Sequence, residues 1–205
     1  MFEQVLQQLA SADADVRAEA ASKLGELKDA RGAEPLIERL QQDQDEWVRR
    51  DAARALGEIG DGRALGPLLL ALADPSEPVG IYVRGALGKV DPNWAESNTA
   101  RAQVPDLISL LGEPNPFARS NLAWALGMVK DRRAIGPLAG LQADPVGYVR
   151  QEAQSALGKI DSKWLASPEV REALPKLMAA MNSPDRGVRG MVALLIQQIE
   201  KYSKA

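Results

Sequence analysis

The 205 residues include no cysteine and no histidine, and only nine are aromatic. Without cysteine there are no disulfides and no thiolate nucleophile, and without histidine no imidazole base. Together the two absences remove the ligands that zinc and iron–sulfur sites nearly always use. Apolar runs such as Leu68 to Ala73 and Val192 to Ile196 fall far short of the roughly 20 residues that span a bilayer. No membrane partner is expected. The chain opens Phe2-Glu3-Gln4-Val5, with no basic stretch ahead of an apolar core, so it does not read as a secretory signal and a cytoplasmic protein is expected. An excess of positive charge is missing too: net charge is -3, the isoelectric point is near 5.2 and Lys and Arg are scattered, which argues against nucleic acid as a partner.

What is present is a folding composition, 45% hydrophobic and 26% charged, written as a repeat. A Val-Arg pair with Gly nine residues after the Val occurs at Val16, Val48 and Val149, with Gly25, Gly57 and Gly158. Ala118-Arg119 with Gly127, Val79-Gly80 with Gly88, and Val188-Arg189 with Gln197 in the glycine's place complete six copies. The anchors step by 32, 31, 39, 31 and 39 residues. A shift of 70 residues also lays Asp61, Arg63 and Pro67 on Asp131, Arg133 and Pro137, and Trp94 on Trp164. Two nested periods result, as from duplication of a two-repeat unit.

Each copy reads as two helices. Asp43, Asp74, Asp144 and Ser183, five residues before their anchors, are expected to cap the second helix, with Pro75, Pro145 and Pro184 at its first position. Gly57 and its equivalents are expected to close it in the left-handed conformation. Pro35, Leu36, Ile37 and Leu40 give the first helix one apolar stripe. One pair cannot bury both its stripes and stacked pairs can, so the expected fold is an all-α solenoid of six two-helix repeats in one elongated domain over 1–205. The repeats fall at about 1–26, 27–59, 60–90, 91–129, 130–160 and 161–205, the last ending on polar Gln197, Gln198, Glu200, Lys201 and Lys204.

The run Trp47-Val48-Arg49-Arg50-Asp51-Ala52-Ala53-Arg54-Ala55-Leu56-Gly57-Glu58-Ile59-Gly60-Asp61-Gly62-Arg63-Ala64, through Pro67-Leu68, closely resembles the phycobilisome-lyase-type HEAT-like repeat. The insertions Asp91-Pro92-Asn93-Trp94 and Asp161-Ser162-Lys163-Trp164 also look like cyanobacterial members of that group. The resemblance implies a right-handed superhelix with the second helices on its concave side. Solenoids of this type serve as scaffolds, adaptors, chaperone-like factors and bilin lyase subunits, so the resemblance specifies fold and not function.

If the second helices line that face, the outward positions are two and one before each anchor and two, three and six after it. Five of the nine aromatics map there. The candidate partner-binding residues are Trp47, Arg50, Asp51, Arg54, Ile81, Tyr82, Phe117, Asn121, Trp124, Tyr148 and Gln151. Aromatics and arginine dominate binding energy at interfaces, which makes a protein-binding groove the natural reading. The plainer alternative is that Trp124 and Tyr82 fill gaps between repeats.

The arginine after each anchor, Arg17, Arg49, Arg119, Arg150 and Arg189, could be an anion-binding ladder. A residue that recurs whatever surrounds it is more economically a bridge between repeats, to Asp or Glu at helix starts. Trp94 and Trp164 read as plugs under the longer turns. Asp51 or Glu152 paired with another carboxylate is weak evidence of acid–base chemistry on a charged solenoid.

The expected function is therefore that of a non-enzymatic, cofactor-free, monomeric scaffold for another protein. The alternative, from the resemblance, is a bilin lyase subunit or chromophore chaperone, in which Arg50 or Arg54 would meet a propionate. With no cysteine, histidine or metal ligand set to depend on, helical circular dichroism and reversible melting should be unchanged by chelator or reductant; loss of helix on adding either would contradict this reading.

Overall fold

The computed structural model describes residues 1–203, so Lys204 lies outside the described residues. Among them are twelve α-helices and no strand: α1 Phe2–Gln8, α2 Ala14–Leu27, α3 Ala33–Gln42, α4 Glu46–Ile59, α5 Leu65–Leu70, α6 Glu77–Val90, α7 Asn98–Ser109, α8 Pro116–Val129, α9 Ile135–Gly140, α10 Gly147–Ile160, α11 Leu174–Ala180 and α12 Arg186–Ser203. The chain divides into two compact units, Met1–Gln103 and the part from Val104 onward, where the sequence reading has a single domain.

Every even-numbered helix starts two residues before its anchor, and α2, α4, α6, α8 and α10 are each 14 residues long. The anchors Val48, Val79, Ala118 and Val149 and the leucines eight residues on, Leu24, Leu56, Leu87, Leu126 and Leu157, are fully buried. In the odd-numbered helices the expected stripe is present, with Leu36, Ile37 and Leu40 of α3 buried.

The helix starts lie two residues later than expected. The caps are Asp13, Asp45 and Asn115, three before the anchor, and Asp45 Oδ1 accepts from the amides of Trp47 (2.9 Å) and Val48 (3.2 Å). Asp43, Asp74 and Asp144 instead shape the turn before the cap, each accepting the amide two residues on, and Ser183 Oγ does the same. Pro75, Pro145 and Pro184 belong to that turn, outside the helix. Both kinds of residue carry a side-chain oxygen able to meet an orphan amide, and only geometry decides which does.

These displaced aspartates are where the arginines go. Arg17 donates to Asp43, Arg49 to Asp74 and Arg119 to Asp144, each through two nitrogens at 2.7 to 3.1 Å. The remaining Nη1 of each donates to two carbonyls of the turn entering its own helix, for Arg49 those of Asp43 and Gln44. The bridge reading holds at three positions. Arg150 and Arg189 keep the carbonyl contacts, but the residue in the aspartate's place after Arg150 is Ser183. Burial pushes the Asp43 carboxyl up, but hydrogen bonds from Arg17 and the Asp45 amide, with the charges of Arg17 and Arg39, outweigh it and hold it below the usual carboxylate range.

Gly25, Gly57 and Gly127 do not close their helices. They lie inside α2, α4 and α8, and the left-handed residues are Lys28, Gly60 and Lys130. The reason for glycine is contact with the next helix: a Cβ would lie 2.8 Å from Ala55 Cα at Gly25, 2.9 Å from Ala86 Cα at Gly57 and 2.7 Å from Ala156 Cα at Gly127. The left-handed endings accompany the short steps. At the two long steps α6 and α10 end on extended Asp91 and Asp161 (φ -149° and -154°), and the chain enters the insertions. There Trp94 and Trp164 are buried, as plugs should be.

The packing account gives two equivalent glycines opposite behaviour. Gly127→Ala should cost about 1–3 kcal/mol by overpacking. Gly158→Ala, whose added Cβ would meet nothing within 4 Å, should be neutral or stabilise by up to about 1 kcal/mol. Equal effects in thermal melts would return both glycines to a backbone role. A second expectation concerns pH. The folded pKa of Asp43 lies below the unfolded value of about 3.9, so its stabilisation is complete above that value and lost as pH falls through the folded pKa. The gap in melting temperature between wild type and Asp43→Asn should close on acidification, and a constant gap would contradict the ion pair.

Candidate functional site

In the first unit, consecutive second helices bring equal offsets from the anchor side by side, and α4 and α6 supply the predicted residues. Trp47, one before its anchor, is 48% exposed; its amide is held by the Asp45 cap. Arg50 lies one turn further on, its guanidinium 4.6 Å from the Trp47 ring centroid and 5.8 Å from that of Tyr82 on α6. Cation–π contacts of this kind favour the sandwich. Ile81 and Tyr82 are exposed beside it, at 60% and 41%.

Asp51 departs from expectation. It is buried, with Arg50 forked onto it by contacts of 2.9 to 3.0 Å and Arg54 3.7 Å away. It is therefore no contact residue. Its carboxylate fixes Arg50 between the two rings. Arg54, half-buried, also reaches Glu58 at 3.7 Å and Ser22 Oγ of α2 at 2.5 Å, tying three second-helix residues together.

The second unit holds a cluster of its own. Phe117 on α8 and Tyr148 on α10, each one residue before its anchor, stack with centroids 5.6 Å apart and planes at 27°. Both are exposed, as is Gln151, while Asn121 and Trp124 are half-buried. Of Trp47, Arg50, Tyr82, Phe117, Trp124 and Tyr148, none is fully buried: the first, third, fourth and last are exposed, and Arg50 and Trp124 are half-buried. Sequence selection left out Leu194 on α12, 56% exposed and six residues after its anchor, although its offset is one of those mapped.

Among the described residues no group of three or more His, Cys, Asp or Glu side chains is placed to hold a metal ion, and no helix is long and apolar enough to cross a membrane. A surface depression lies at the clamps, lined by Leu40, Asp43, Arg49, Pro67 and Asp74.

A family model described as HEAT repeats matches residues 2–88 and 67–158. Solved structures agree on the fold. A chain from the structure of microtubule plus-end tracking by XMAP215, CLIP-170 and EB1 is 14% identical, over 96% of this chain and 90% of that one, with a TM-score of 0.61. A designed armadillo repeat protein in complex with the peptide (KR)4 is 21% identical, over 97% and 99%, with a TM-score of 0.52. The complex of CpcE and CpcF of phycocyanin lyase from Nostoc sp. PCC7120 is 20% identical, over 98% and 94%, but at a TM-score of 0.42 the likeness carries no argument. No curated protein sequence matches significantly.

Proposed function

The chain belongs to the HEAT-repeat family, and on that footing we propose that it is a non-enzymatic scaffold that binds another protein across the exposed face of its second helices. The HEAT-repeat fold is typical of protein-binding scaffolds. The observation that carries the reading is the Trp47–Arg50–Tyr82 sandwich, exposed yet fixed from below by buried Asp51. Part of the free-energy cost of binding is the ordering of mobile side chains. Here the arginine is already held, and the two rings have few torsions to lose. Trp, Tyr and Arg are also the side chains most enriched among those that dominate interface energy.

The bilin reading gains less. Arg50 and Arg54, the cations suited to a propionate, both direct their guanidinium groups at Asp51, so a propionate would meet arginines whose charge is already partly neutralised. A polypeptide needs only the exposed ring faces and Ile81.

The test is capture from an extract of the source cells on the immobilised chain, comparing wild type with Trp47→Ala/Tyr82→Ala. The variant should keep its helical circular dichroism, and the retained proteins should bind it more weakly by about 2 kcal/mol or more. Equal retention by both would overturn the reading.

A further inference from the structure

We propose that the second-helix face of the first unit takes a basic polypeptide segment in the extended polyproline II conformation, with Lys or Arg recurring about every third residue and apolar side chains between. The inference rests on the protein-binding reading above and names its partner class. Three second helices each set one exposed carboxylate in their first turn: Asp15 on α2, Glu46 on α4 and Glu77 on α6, one or two residues before the anchor. None of the three forms an ion pair among the described residues; Glu46 feels the charge of Arg49, which Asp74 already neutralises. Three cations near these carboxylates are already paired. Arg50 is paired with Asp51, Arg54 with Asp51 and Glu58, and Lys23 with Glu19 at 2.6 Å.

An acid in the first turn suits the helix dipole, and that alone makes no site. What adds a ligand is the uncovered apolar surface alongside, Trp47, Ile81 and Tyr82, rimmed by a row of unmatched negative charge. The rings already accept a guanidinium on one side, that of Arg50 at 4.6 and 5.8 Å. A second cation on their outer faces would meet the same quadrupole. Spacing fits a segment in the polyproline II conformation: packed helices lie about 8–10 Å apart, and that conformation advances about 3.1 Å per residue with about three residues per turn, so every third side chain returns to the same face at the next helix.

Fluorescence anisotropy of two short labelled peptides tests the proposal on the full chain. One carries Arg at every third position with Leu and Ser between; the other has Glu for Arg. The basic peptide should bind about tenfold or more tightly than the acidic one at low salt, and the preference should shrink as salt is raised. Glu46→Gln/Glu77→Gln should weaken the basic peptide about fivefold and flatten its salt dependence while the helical circular dichroism stays intact. Trp47→Ala/Tyr82→Ala should weaken it at all salt concentrations. Equal or tighter binding of the acidic peptide, no binding of either, or indifference to the glutamine changes would overturn the basic class. If the acidic peptide binds and the aromatic changes abolish it, the protein-binding reading survives and only the charge preference falls.

Discussion

The arrangement depends on one guanidinium placed immediately after the anchor of a second helix. Arg49 shows its economy. One edge satisfies the carbonyls of Asp43 and Gln44, which the turn entering α4 leaves without partners, and the other forks onto Asp74, the residue that folds the turn into α6. Asp74 in turn accepts the Ser76 amide, so the two turns become one bonded body. A half-buried charge pair contributes little net stability, because desolvation offsets most of the attraction. Its larger effect is register: a planar fork meets a carboxylate in few geometries, and one residue of slippage would leave both charges buried and unpaired.

Register in turn allows the close contact. With the turns clamped, Gly25 faces Ala55, Gly57 faces Ala86 and Gly127 faces Ala156, so backbones approach to a distance that no Cβ would tolerate. Helices held in step present equal offsets side by side. Phe117 therefore stacks on Tyr148, and Arg50 reaches both Trp47 and Tyr82. The exposed face follows from the same interactions that hold the stack, and Asp51 belongs to both, buried among the helices and gripping the arginine above.

Much of this is legible in the residues. The period, the buried anchors, the arginine as bridge and the tryptophan plugs all follow from the repetition of one residue type in one place. The misreadings share a cause, which is that one residue type serves two purposes. Asp43 and Asp45 are both able to cap a helix, and the sequence does not show that the first is claimed by Arg17. Gly57 suits a helix end as well as a close contact, and the residue that closes α4 is Gly60, three positions on. Asp51 has an outward offset, but neighbouring Arg50 and Arg54 cover it, a tertiary effect invisible to periodicity. The Arg50 sandwich has no sequence signal beyond shared offsets, because it joins two helices 31 residues apart in the repeat.

The central claim, that the arginine clamp couples successive helix pairs, is tested most directly by a double-mutant cycle on Arg49→Ala and Asp74→Ala in chemical unfolding. A charge-assisted, two-pronged bond of this kind predicts a coupling of about 1.5 kcal/mol or more between the two changes. Effects that add to within about 0.5 kcal/mol would show that the two residues act independently, and the clamp would then not be what holds the repeats in register.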